Sequence, residues 1–223
     1  MTEAPFLLPA TALASVDDYL VAIGPGSTHY MEGACRTIRS AILLARGHPE
    51  AARAEARRAT EVSRPVKDPQ TINPSLAYEA YAALALGARA AANALANELV
   101  EAWHATGIRQ PHECAIAPWV FRELDRSEEV QEALEFEAKG ATPWHEAARR
   151  VLSNDLAGAA DTFAEIGSVP DEAYARLRAA EERVAAGDRA EADRQLRLAL
   201  PVFAQLGATA WAAEGEALLA ESA

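Results

Sequence analysis

Val184-Ala185-Ala186-Gly187-Asp188-Arg189-Ala190-Glu191-Ala192 is the stretch on which the reading of the chain turns. Gly187 closes one helical-period run and Asp188 opens the next, so two helices meet within two residues. Before the turn, Ala173, Leu177, Ala180 and Val184 recur at i, i+4, i+7 and i+11; after it, Ala192, Leu196, Ala199 and Phe203 repeat the spacing. That spacing lays one apolar stripe along each helix. A two-residue connection reverses the chain into an antiparallel hairpin. One hairpin is too thin to hide both stripes, so another must lie against it.

The same punctuation runs outward along the chain. Gly47, Gly87, Gly107, Gly140, Gly167, Gly187 and Gly207 each follow a helical-period run, where a residue of positive φ ends a helix. Asn73-Pro74 and Thr142-Pro143 place a capping acceptor before a proline suited to the first helical turn, and Ser168 with Asp171 resembles a capping box. These signals predict helices over 10–22, 29–46, 49–63, 74–86, 89–105, 112–125, 128–138, 143–153, 156–166, 171–186, 189–206 and 208–221. The fold class is all-α, with eleven or twelve helices. Val and Ile are too sparse, and period-2 alternation too rare, for a sheet of useful size.

Counting five, nine and twelve residues from a turn exposes a repeat. From Gly187 these offsets reach Ala192, Leu196 and Ala199; from Gly47, Ala52, Ala56 and Ala59; from Gly87, Ala92, Ala96 and Leu99; from Asn154, Ala159, Phe163 and Ile166. Asn154 and Gly187 stand 33 residues apart, near the tetratricopeptide period of about 34. On these residues the chain resembles the tetratricopeptide repeat (TPR) family, although most copies lack that family's early Trp and final Pro. The segment from Val169 to Ala223, with Pro170-Asp-Glu-Ala-Tyr-Ala-Arg-Leu-Arg-Ala-Ala-Glu181 and Phe203-Ala-Gln-Leu-Gly-Ala208, resembles the C-terminal repeats of actinobacterial signalling ATPases, notably LuxR-type regulators. The resemblance implies a TPR-like α-solenoid in one domain over 1–223. Its parts are a lead-in helix (1–28), N-terminal repeats (29–106), an irregular junction (107–126) and C-terminal repeats (127–223).

Half of the 223 residues are hydrophobic but only 6% are aromatic, so the core is built chiefly of Ala and Leu. Alanine favours helix and lets helices approach closely. A net charge of -12 opposes binding to nucleic acid or to anionic membrane surfaces. Cys35 and Cys114, distant in sequence, form no disulfide framework, and Met1-Thr2-Glu3-Ala4 has no basic start of a signal peptide. A cytoplasmic location is the expectation. No uncharged run of 18 residues offers a membrane span.

Catalytic motifs dissolve on inspection. Gly24-Pro25-Gly26-Ser27 lacks the Lys and Ser/Thr of a phosphate loop and reads as a turn. His145-Glu146 would need a second His at 149, where Arg149 stands. His104, His112 and Cys114 fall short of four closely spaced ligands. No catalytic residue, metal or cofactor is expected. Glu128, Glu129, Glu132, Glu135 and Glu137 form either a solvated helix surface or a face for a basic partner.

In TPR folds the first helix of each pair lines a concave groove. By that resemblance Tyr78, Tyr81, Trp144, His145 and Tyr174 are the candidate groove residues; the alternative for each is packing between helices. Trp103, Trp119, Phe121 and Phe163 sit in apolar runs and read as core. The expected function is a non-catalytic scaffold that binds a protein or peptide segment in the groove, as the repeat part of a bacterial regulator. The alternative is a small-molecule effector-sensing module of a signalling ATPase system.

Overall fold

The computed structural model describes residues 9–23, 31–108, 111–135 and 142–220. The glycines of the 24–27 turn and Gly140 lie outside them. Within them the chain is all-helical. In order come α1 (Pro9–Ile23), α2 (Met31–Ala45), α3 (Pro49–Ser63), α4 (Pro69–Ala85), α5 (Arg89–Thr106) and α6 (Pro111–Glu123). They are followed by α7 (Ser127–Glu135), α8 (Pro143–Leu152), α9 (Leu156–Ile166), α10 (Val169–Ala185), α11 (Arg189–Leu206) and α12 (Thr209–Ala220). No described helix is long and apolar enough to cross a membrane.

One turn is used again and again. After α10, the N–H of Gly187 donates to Val184 O and that of Asp188 to Arg183 O, at 3.0 and 2.8 Å. The same two bonds close the turns at Gly47, Gly87, Gly167 and Gly207, and at Asp125 and Asn154, which take positive φ without being glycine. Both bonds satisfy carbonyls that a helix end leaves open.

α4 departs from expectation. Its start is Pro69, capped by Asp68, whose carboxylate accepts the N–H of Gln70 at 2.9 Å. Asn73 is therefore not the cap, and Pro74 stands inside the helix. Asp68-Pro69 supplies the same acceptor-plus-proline signal five residues earlier, so the helix gains a turn. Within the junction, the helix expected over 112–125 is present as α6, with Pro118 inside it.

Sequential helices pack against one another, and α2, α4, α6 and α8 also lie one against the next. The positions picked by counting from the turns are the core: Ala52, Ala56, Ala59, Ala92, Ala96, Leu99, Ala159, Phe163, Ala192, Leu196 and Ala199 are fully buried, while Ile166 is half-buried. Small residues set the spacing. A Cβ on Gly33 would stand 2.2 Å from Ser63 Oγ, so α2 and α3 touch where no side chain fits. Buried Arg176 ties three helices together, reaching Asp161 of α9 and Gln195 of α11 as well as Glu172 of its own helix.

The end of the chain returns to its beginning. α12 packs against α2, and α1 reaches α11. Ala45 of α2 is buried in one cluster with Leu177, Leu196 and Phe203. Thr209 Oγ1 donates to the Arg46 carbonyl at 3.2 Å, closing a seam between residues 163 positions apart.

Candidate functional site

Where α12 returns to α2, a half-open cavity of about 360 Å³ lies between α2, α4, α6, α10 and α12, with Ala12 of α1 and Leu206 of α11 also at its wall. Its wall is mainly apolar and includes Ile38 and Ala41 from α2, Pro74 from α4 and Ile116 from α6. Ile38 keeps 42% of its surface exposed, although it faces inward. The polar groups on the wall are few, among them Thr37, Gln70, Thr71, Tyr78, His112 and Asp171. Arg46 also lines it, at the seam.

An aromatic floor closes one side, and Tyr174 is its hub. Its ring lies 4.8 Å from Trp211, 5.2 Å from Trp119 and 6.4 Å from Tyr81, the last two edge to face. Its hydroxyl hydrogen-bonds that of Tyr81. Burial raises both phenols above the ordinary value, Tyr81 well above it, so both remain protonated and either can donate. The Arg178 guanidinium covers the Tyr174 ring at 5.0 Å. Beyond the floor opens a second hollow of about 680 Å³, which shares Tyr81, Trp119, Tyr174 and Trp211 with the first. It is charged: Arg178 pairs with Glu181 and Glu214, and Arg122 with Glu182.

Asp171 sits in the first turn of α10. It was read as part of a capping box, but Ser168 Oγ donates to its carboxylate and no capping bond to backbone forms. Burial raises its pKa, against the opposing pull of the Ser168 hydroxyl and of the nearby His112. No ion pair neutralises it among the described residues. The Tyr78 hydroxyl accepts and donates no hydrogen bond within them either, and burial, then the Asp171 charge, push it far up.

The structure brings together three of the five sequence-selected residues, Tyr78, Tyr81 and Tyr174. Trp144 and His145 lie elsewhere. Trp144 packs on Phe163, ring centroids 6.0 Å apart, at the join of two core clusters. His145 is buried and structural: its Nδ1 accepts the N–H of Thr142 at 3.1 Å, which leaves Nε2–H to donate to Ile108 O at 3.0 Å. This capping use of the third residue of α8 is what its position after Thr142-Pro143 signalled. Missed by sequence reasoning were Trp211 and Asp171, and Trp119, which was read as core and is both buried and at the cavity wall. Trp119 carried no distinguishing signal, since a floor residue and a core residue share the same helical spacing.

Cys35 and Cys114 are both buried, and burial, followed by the neighbouring Glu113 charge, pushes the Cys114 thiol up to about 12. Such a thiol is a packing group, not a thiolate nucleophile. What the site offers is an apolar hollow with aromatic walls and a few oriented polar atoms, an arrangement suited to holding a ligand. In comparisons with protein-family models, with curated proteins and with solved structures, nothing matches this chain.

Proposed function

We propose that this chain is a TPR-like α-solenoid, closed on itself, that acts as a non-catalytic module binding a small-molecule effector in its inner cavity. The observation that carries the reading is the cavity itself: about 360 Å³, apolar, with five aromatic side chains and a few polar atoms on its wall. Ligand sites typically run from about 300 to 1,000 Å³ with that kind of lining. Ile38, half exposed on an inward wall, gains burial from a bound molecule. The rival reading, an extended partner segment lying along the concave face, is disfavoured by the floor: the Tyr81–Tyr174 bond and the two tryptophans stand across such a path. The resemblance of residues 169–223 to signalling regulators supports a sensing role, in which the occupied cavity reports to another subunit or domain.

The test is a thermal-shift screen of a metabolite set on the whole chain, repeated on Ile38→Trp. A ligand that binds only the folded state raises the melting temperature by mass action. Hits on the wild type that vanish in Ile38→Trp, whose indole occupies the cavity, support the reading. Capture of a protein segment unaffected by that substitution, with no small-molecule hit, overturns it.

A further inference from the structure

We propose that the ligand of the inner cavity is an organic cation, a protonated amine on an aromatic or aliphatic body, with Asp171 as its counter-ion. The inference rests on the cavity reading above and names its chemistry.

Asp171 stands on the cavity wall without a cationic partner among the described residues. Its one hydrogen bond among the described residues comes from the Ser168 hydroxyl, and no arginine or lysine pairs with it. Elsewhere in this Arg-rich chain several buried or half-buried carboxylates are matched by arginine: Glu172 by Arg176, and Glu32 and Glu55 by Arg36. An unmatched carboxylate beside an apolar hollow is costly unless a cation comes to it. The rest of the wall suits the same visitor. Tyr78, whose hydroxyl has no hydrogen-bond partner among the described residues, can accept a hydrogen bond from an ammonium group. The faces of Trp119, Tyr174 and Trp211 carry the negative side of the ring quadrupole, which attracts cations within about 6 Å. Apolar residues such as Ile38 and Ile116 then take the body of the molecule.

Two basic groups also line the cavity. His112 stands in the first turn of α6, close enough to Asp171 to oppose the upward push of burial on that carboxyl. Arg46 lies at the seam, its guanidinium 3.8 Å from where a Cβ on Gly207 would be, and it forms no ion pair among the described residues. Arg46 is thus the anchor that an anionic ligand would use, which makes it the natural control.

The experiment titrates the whole chain with three molecules of matched shape: 2-phenylethylammonium, 2-phenylethanol and 3-phenylpropionate, followed by tryptophan fluorescence and calorimetry. The cation is expected to bind at least tenfold more tightly than the alcohol, and the anion most weakly. Asp171→Asn keeps an oxygen for Ser168 and is expected to weaken the cation by about tenfold to a hundredfold, the range for a charge-assisted hydrogen bond, while the alcohol is unchanged. Arg46→Gln is expected to leave the cation alone. Equal binding of cation and alcohol, insensitive to Asp171→Asn, overturns the cation assignment and leaves the cavity reading standing. Preferential binding of the anion, lost in Arg46→Gln, overturns it in favour of the seam arginine. Failure of all three to bind at millimolar concentration overturns the cation assignment, and the metabolite screen with Ile38→Trp decides the cavity reading separately. Because the three-ligand comparison is made on the wild type, it decides the question even if a variant fails to fold.

Discussion

The phenolic oxygens of Tyr81 and Tyr174, 93 residues apart in the chain, share a hydrogen bond across the interior of the helical stack. The bond joins α4 to α10, two helices separated in sequence by five others, and it carries the aromatic floor that divides one hollow from the other. Replacing either tyrosine with Phe removes the bond and keeps the ring. Each single change is expected to cost about 1 kcal/mol, and the double-mutant cycle to return a coupling of about 0.5–1.5 kcal/mol, read from urea unfolding. Strictly additive losses would mean the two hydroxyls contribute independently.

The seam between α2 and α12 can be weighed against an identical turn elsewhere. Gly47 and Gly187 have nearly the same backbone, φ +80° and +78°, so alanine at either meets the same left-handed strain of about 1 kcal/mol. At Gly187 the new methyl meets nothing within 4 Å, whereas at Gly47 it stands 3.2 Å from the Ala210 Cβ. Gly47→Ala is therefore expected to lower the melting temperature more than Gly187→Ala does. The excess measures the closure of the chain on itself, and equal losses would remove that contact from consideration.

His145 is expected to matter for stability and not for the ligand. His145→Ala deletes the acceptor for the Thr142 N–H and the donor to Ile108 O, both in a buried setting, for an expected loss of about 1–3 kcal/mol by thermal melting. Binding of 2-phenylethylammonium to the variant, measured well below its melting temperature, should match the wild type. A binding defect there would return His145 to the site.

Acid should erase one surface interaction. Hydrogen bonds from Arg194, then from Gln195, hold the Glu191 carboxyl at about 2, well below the ordinary 4.5. A carboxyl whose folded value is depressed adds stability that is present above its unfolded value and is lost as pH falls toward its folded one. Glu191→Gln should thus be less stable than the wild type at pH 6, with the gap in urea midpoint closing between about pH 4.5 and pH 2. The effect is modest, because the Arg194 partner is largely solvent-exposed and screening weakens the pair. A gap constant across that window would count against the pairing.

Much of the framework was legible because its signals are local. Gly187 and Asp188 announce a turn whatever surrounds them, and an apolar residue nine positions past the turn is buried because it lies on the inner face of the next helix. Ala192, Leu196 and Ala199 were readable for that reason. Two local signals competed at α4, where Asn73-Pro74 and Asp68-Pro69 carry the same chemistry and the earlier pair wins. The site was only partly legible. Tyr78, Tyr81 and Tyr174 followed from their place on the inner helices, but His145 shares that place and serves as a cap.

By itself the sequence determined the helical class, the turns and the apolar stripes, since each depends on residues within about one or two helical turns of one another. Only the tertiary structure decided that α12 returns to α2, that Tyr81 meets Tyr174, and that Asp171 lines a cavity with no arginine or lysine paired to it among the described residues. Those outcomes depend on how helices far apart in the chain pack together, and no local stretch of sequence states that packing.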